Sequence, residues 1–79
     1  MADIRIPKMG MSSVEVDVVK WEVRVGDIVE VGQPLVVVES EKVEMTIDAE
    51  IRGVVREIRV MEGETVEVGT VICRVEEGV

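Results

Sequence analysis

The feature that most constrains this chain is an internal repeat: residues 18–39 align with residues 55–76. Val18 matches Val55, Val23 matches Val60 and Gly26 matches Gly63; Val29-Glu30-Val31-Gly32 matches Val66-Glu67-Val68-Gly69, and Val38-Glu39 matches Val75-Glu76. Two copies are too few for a solenoid, whose short units need at least three to bury a continuous core. The repeat therefore predicts one domain of two similar halves related by a pseudo-two-fold axis. Each half reads as a valine-rich strand, a turn at Gly26-Asp27 or Gly63-Glu64, a short alternating stretch, a turn at Gly32-Gln33-Pro34 or Gly69-Thr70, and a further strand. Valine's branched Cβ favours the pleated strand. Short strands punctuated by glycine, without helical periodicity, predict an all-β fold, a small antiparallel sandwich or flattened barrel. What breaks the symmetry is residues 40–54, between the copies, so the feature peculiar to this chain is expected there.

At 79 residues there is one small core and little room for an enclosed active site. A formal net charge of −8 argues against nucleic acid or an anionic membrane as partner and favours proteins with basic surfaces. With no histidine and Cys73 as the single cysteine, there is no intrachain disulfide, no His/Cys zinc site and no histidine-dependent triad. The glycines match neither GxGxxG nor a GKS/GKT pattern, so they are read as turn residues. The longest apolar run is Leu35 to Val38, and the N-terminal stretch lacks a basic region and a long apolar segment. Neither a membrane span nor a secretory signal is expected, and the domain is expected to be soluble, intracellular and monomeric.

Residues 43–50 alternate strictly, with Val43, Met45, Ile47 and Ala49 on one face and Glu44, Thr46, Asp48 and Glu50 on the other. A two-residue turn at Glu41-Lys42 sets Ser40 opposite Val43, Val38 opposite Met45 and Val36 opposite Ile47, so the apolar faces of the two strands coincide. Lys42 is then placed at the tip, and Glu39 faces Glu44. Three carboxylates, from Glu39, Glu41 and Glu44, surround one ammonium. Like charges directly opposite one another are mildly destabilising, a cost that makes sense on a recognition surface. Nucleophilic lysines are desolvated or sit beside another cation; this one is expected among water and carboxylates, as a substrate for modification rather than a catalyst. An ordinary solvated turn lysine fits the same residues.

The chain resembles the lipoyl domains of the acyltransferase (E2) chains of 2-oxo acid dehydrogenase complexes. The resemblance runs through Ile6-Pro7-Lys8-Met9-Gly10-Met11-Ser12, Val18-Val19-Lys20-Trp21, Val25-Gly26-Asp27, Gly32-Gln33-Pro34-Leu35 and Glu39-Ser40-Glu41-Lys42-Val43. The last stands where the family has E-T/S-D-K-A/V, with Glu41 in place of the usual aspartate. Gly26 and Gly53 stand at the positions of the glycines that flank the family's modified lysine. The resemblance implies two four-stranded sheets with internal pseudo-two-fold symmetry, Lys42 at one end and both termini at the other, and lipoic acid attached covalently to Lys42. It also implies partners: a lipoate-protein ligase or lipoyl transferase, the thiamine diphosphate-dependent decarboxylase (E1), the E2 acyltransferase core and dihydrolipoamide dehydrogenase (E3). The domain would carry an acyl group among them without catalysis of its own, in a prokaryotic cytoplasm or a mitochondrial matrix. Glu39, Glu41, Val43, Glu44, Gly26 and Gly53, with the loop Lys8, Met9, Gly10, Met11, Ser12 and Ser13, are the residues through which partners would recognise it.

Biotinyl domains share this fold but typically have methionine on both sides of the lysine, where this chain has Glu41 and Val43. A biotin carrier and an unmodified adaptor are the alternatives. Cys73 aligns with Val36 and is expected to be a small core residue rather than a redox thiol. Trp21, aligned with Ile58, is expected in the core or at its edge. Residues 76–79 are expected to begin a linker within a single domain spanning 1–79.

Overall fold

A computed structural model describes residues 1–8, 15–41 and 43–78. They form eight strands: β1 (Ala2–Arg5), β2 (Glu15–Trp21), β3 (Ile28–Val29), β4 (Pro34–Glu39), β5 (Glu44–Asp48), β6 (Gly53–Ile58), β7 (Thr65–Glu67) and β8 (Val71–Glu77). One sheet has the order β1-β8-β6-β3 and the other β5-β4-β2-β7, every pairing antiparallel. No strand is shared between the sheets, so the fold is a sandwich rather than a closed barrel.

The repeat is written into this topology. Exchanging β2 with β6, β3 with β7, β4 with β8 and β1 with β5 turns one strand order into the other. The registers agree residue by residue: Val18 faces Val38 and Trp21 faces Val36, as Val55 faces Val75 and Ile58 faces Cys73. Even the irregularities repeat, since β2 slips register between Val18 and Lys20 and β6 between Val55 and Glu57. A bulge of this kind sets two residues against one and bends the strand. The other slips, opposite Leu35 on β4 and Ile72 on β8, explain why Leu35-Val36 and Ile72-Cys73 are buried as consecutive pairs where strict alternation would expose one of each.

Besides the pairings within each half, reciprocal hydrogen bonds tie the halves to each other. Gly26 N donates to Val55 O at 2.7 Å, mirrored by Gly63 N to Val18 O at 2.7 Å. Val55 N donates back to Asp27 O at 2.9 Å, mirrored by Val18 N to Glu64 O at 2.8 Å. Gly26 and Gly63 adopt φ of 98° and 92°, a region that carries a steric penalty for any side chain, which fixes glycine at these turns.

Between the sheets lies a core dominated by valine and isoleucine, with Val29, Leu35, Val36, Val38, Val55, Ile72, Cys73 and Val75 completely buried and no buried charged residue among those described. Cys73 is a core residue as expected, and burial pushes its thiol pKa up to about 11. Trp21 lies at the core edge, half-buried, its indole Nε1 donating to Val60 O at 2.9 Å. Glu76 and Glu77 belong to β8, facing Val54 and Gly53 of β6, so the sheet runs into the stretch where a linker is expected to begin.

Candidate functional site

Strands β4 and β5 form the hairpin, and the observed register is the one the apolar alternation requires: Glu39 faces Glu44, Val38 faces Met45, and Val36 faces Ile47. Ser40 N donates to Val43 O at 2.8 Å, and the Ser40 hydroxyl bridges Val43 N and O at 3.4 and 3.3 Å, fastening the neck of the loop. Lys42 itself lies outside the described residues, between Glu41 and Val43 in the sequence. Burial on the inward face fades toward the loop: Ala49 and Ile47 are buried, Met45 is half-buried and Val43 is 41% exposed. The hairpin tip therefore projects beyond the core, and both sequence neighbours of Lys42 are exposed.

The register sets Glu39 and Glu44 opposite each other at the last rung before the loop, and the sheet adds further acids. Glu39 faces Glu44 on one side and Asp17 of β2 on the other, and Asp17 in turn faces Thr65 of β7. One rung of the sheet thus reads Glu44, Glu39, Asp17, Thr65, with Glu15 and Glu67 paired on the same two strands. The Thr65 hydroxyl donates to Asp17 Oδ1 at 2.6 Å and holds that carboxylate in place. Glu15 and Asp17 were not singled out in the sequence, because their proximity depends on the non-local pairing of β2 with β4. The alternation Glu15-Val16-Asp17-Val18 marks them only as outward-facing.

Among the described residues, no lysine or arginine pairs with Glu15, Asp17, Glu39, Glu41, Glu44 or Glu67. The ion pairs lie elsewhere: Arg74 with Asp3 and Glu57, Arg56 with Glu76, Arg52 with Glu30, Arg59 with Glu57, Arg5 with Asp3, and Lys20 with Glu22. Glu76, the repeat partner of Glu39, is neutralised by Arg56 at 2.6 Å. Charge is segregated toward the hairpin although the two halves share a backbone plan.

The two flanking glycines have separate structural reasons. Gly26 provides the positive-φ turn described above. Gly53 allows close approach: a Cβ on it would collide with the Glu76 carbonyl oxygen and stand 2.8 Å from both the Glu76 carbonyl carbon and Val75 Cγ1. Neither glycine belongs to the hairpin strands; each shapes the scaffold behind them. In the N-terminal loop Lys8 is exposed, while Met9, Gly10, Met11, Ser12 and Ser13 lie outside the described residues.

Comparison with known proteins is decisive on the family. Residues 2–75 match the Biotin_lipoyl family model, described as "Biotin-requiring enzyme". The chain belongs to the biotinyl/lipoyl attachment family. Within that family it is 44% identical over 68 residues to the dihydrolipoyllysine-residue acetyltransferase component of the acetoin cleaving system of Bacillus subtilis, covering 86% of this chain and 17% of the relative. It is 37% identical over 78 residues to the dihydrolipoyllysine-residue succinyltransferase component of the 2-oxoglutarate dehydrogenase complex of Staphylococcus saprophyticus, covering 99% of this chain and 18% of the relative. The chain thus spans less than a fifth of the length of these relatives. Among solved structures it resembles the lipoyl domain of the 2-oxoglutarate dehydrogenase complex from Azotobacter vinelandii, with a TM-score of 0.81, 34% identity and 98% coverage of both chains. As a member of the attachment family it is a carrier domain for a covalently held group rather than a catalyst.

Proposed function

We propose that this is a lipoyl carrier domain whose attachment point is Lys42, in an E2 acyltransferase chain of a 2-oxo acid dehydrogenase complex. The observation that carries the reading is the β4–β5 register, which leaves Glu41 and Lys42 as the loop of a hairpin closed by Ser40 and Val43. The names of the relatives support lipoate over biotin, as does the absence of methionine beside Lys42. When bound, a lipoyl group supplies a dithiolane that takes up an acyl group as a thioester while it is reduced.

The chain's own contribution is to hold and present. Attachment replaces an N–H bond of Lys42 Nζ by an amide bond to the lipoate carboxyl carbon, with the proton and the carboxyl's activating group leaving. That requires an attaching enzyme, a lipoate-protein ligase or lipoyl transferase, to activate the acid and take the proton. The hairpin's closed neck fixes where the amine is offered, and the sandwich holds that hairpin on a core too small to enclose a substrate. E1, the E2 core and E3 are the proposed stations, in a prokaryotic cytoplasm or a mitochondrial matrix. The direct test is Lys42→Ala. It is expected to abolish lipoate incorporation with the thermal midpoint unchanged, whereas a modified peptide containing Lys8 or Lys20 in that variant would overturn the assignment.

A further inference from the structure

The pseudo-two-fold symmetry gives the molecule two outer faces built on one backbone plan, and their side chains differ in kind. On the β1-β8-β6-β3 face, charges interlock. Arg74 of β8 faces Asp3 of β1 and Glu57 of β6, with its Nε 3.0 Å and 3.7 Å from their carboxylates, and Arg56 closes on Glu76. Each acid named there has a cation beside it, so this part of the face is charge-paired.

The β5-β4-β2-β7 face differs. Where the first face has Arg56 and Arg74, this one has their repeat partners Val19 and Val37. Val19 sits at the β2 register slip and is 42% exposed, and Val37 is half-buried and faces Lys20. Beside this apolar step runs the rung of Asp17, Glu39 and Glu44, without a cation among the described residues. The lysine of this face, Lys20, is turned to Glu22 at 3.5 Å, on the side of the step away from the hairpin tip. Apolar contact next to unpaired charge of one sign is the composition of a docking surface for a protein of opposite charge.

We propose that the outer face of the β5-β4-β2-β7 sheet is the surface on which the lipoate-attaching enzyme docks, with Asp17, Glu39 and Glu44 meeting a basic patch and Val19 and Val37 supplying apolar contact. The inference rests on the carrier reading of Lys42 and deepens it: the enzyme reaches the hairpin over one sheet, not symmetrically around the tip. Its new content is Asp17 and Val19, on a strand outside the hairpin. Thr65 takes part by pinning the Asp17 carboxylate at 2.6 Å.

The opposite face supplies its own control. Asp17→Asn and Glu57→Gln change net charge by the same amount on opposite sheets, and the amide introduced by Asp17→Asn keeps an oxygen to accept from Thr65. With a purified lipoate-protein ligase, kcat/KM for modification of the apo domain is measured for wild type, Asp17→Asn, Glu57→Gln and Val19→Thr at low and high salt, with thermal midpoints confirming folding. Asp17→Asn is expected to lower kcat/KM about fivefold or more at low salt, mainly through KM, and to converge on wild type as the screening length shrinks. Glu57→Gln should stay within about twofold of wild type, while the Val19→Thr deficit should persist at high salt because apolar contact is not screened. Equal effects of Asp17→Asn and Glu57→Gln would mean that bulk charge alone matters and would overturn the docking face while leaving the carrier reading intact. Failure of the wild-type domain to be modified would overturn both.

Discussion

Replacing Gly53 by alanine places a methyl group inside the β6–β8 pairing. The new Cβ would overlap the Glu76 carbonyl oxygen and lie 2.8 Å from the Glu76 carbonyl carbon and from Val75 Cγ1. Carbon atoms sit comfortably at about 3.5–4.0 Å, so both neighbours would have to retreat by roughly an ångström. Neither is free to do so: Val75 is completely buried, and the Glu76 carbonyl belongs to β8, an interior strand of its sheet. Overpacking of this kind typically costs about 1–3 kcal/mol, and a backbone obstacle puts this site at the upper end. The smaller conformational freedom of alanine in the unfolded chain returns about 0.4–1 kcal/mol, leaving a net loss of roughly 2 kcal/mol or more. A domain of this size is stable by about 4–12 kcal/mol, and each kcal/mol lost lowers the melting temperature by about 4–8 °C. Thermal melting is therefore expected to fall by roughly 8–16 °C or more, with a matching drop in the urea midpoint at unchanged m-value. Adding Val75→Ala removes Cγ1 but not the carbonyl, so the double variant should not recover. A Gly53→Ala protein within about 0.5 kcal/mol of wild type would refute the close-approach argument and return Gly53 to a role in recognition.

Cys73 provides a pH test: its thiol is neutral in the folded state up to about 11, against an ordinary value of 9.0, because burial disfavours the thiolate. The unfolded chain ionises first, so this contribution is fully present below about pH 9 and is lost as pH rises toward 11, by at most about 2–3 kcal/mol. Denaturant titrations should show that decline in wild type and a shallower one in Cys73→Ala, while a thiol reagent should label native protein at neutral pH no faster than global unfolding permits. Exchanging Lys42 with Val43 moves the amine one position along a period-two strand and should reduce lipoylation severely although a lysine remains in the loop; modification at the wild-type rate would mean that the geometric argument is wrong.

Much of this was legible because the repeat and the alternation of residues 43–50 are local signals, and they specify both halves and the hairpin register, Val38 against Met45 and Val36 against Ile47. What was not legible depends on pairings between distant strands. Leu35 and Val36 are both buried because β4 slips register against β5, and no periodicity announces a bulge. Glu76 and Glu77 read as polar chain-end residues, yet they complete β8 against β6. Asp17 joined the site only when β2 was found beside β4. Gly53, singled out by position relative to Lys42, owes its identity to Glu76 on a strand that follows it by some twenty residues.

The central claim is that Lys42 carries lipoate. The measurement that tests it most directly is the intact mass of the domain produced with both lipoate and biotin available, together with the attaching enzymes for each, followed by peptide mapping. A single increment equal to one lipoyl group is expected, located on the peptide that contains Glu41-Lys42-Val43, and none in Lys42→Ala. An increment equal to biotin on that peptide, or an unmodified mass alongside a fully modified control domain, would contradict it.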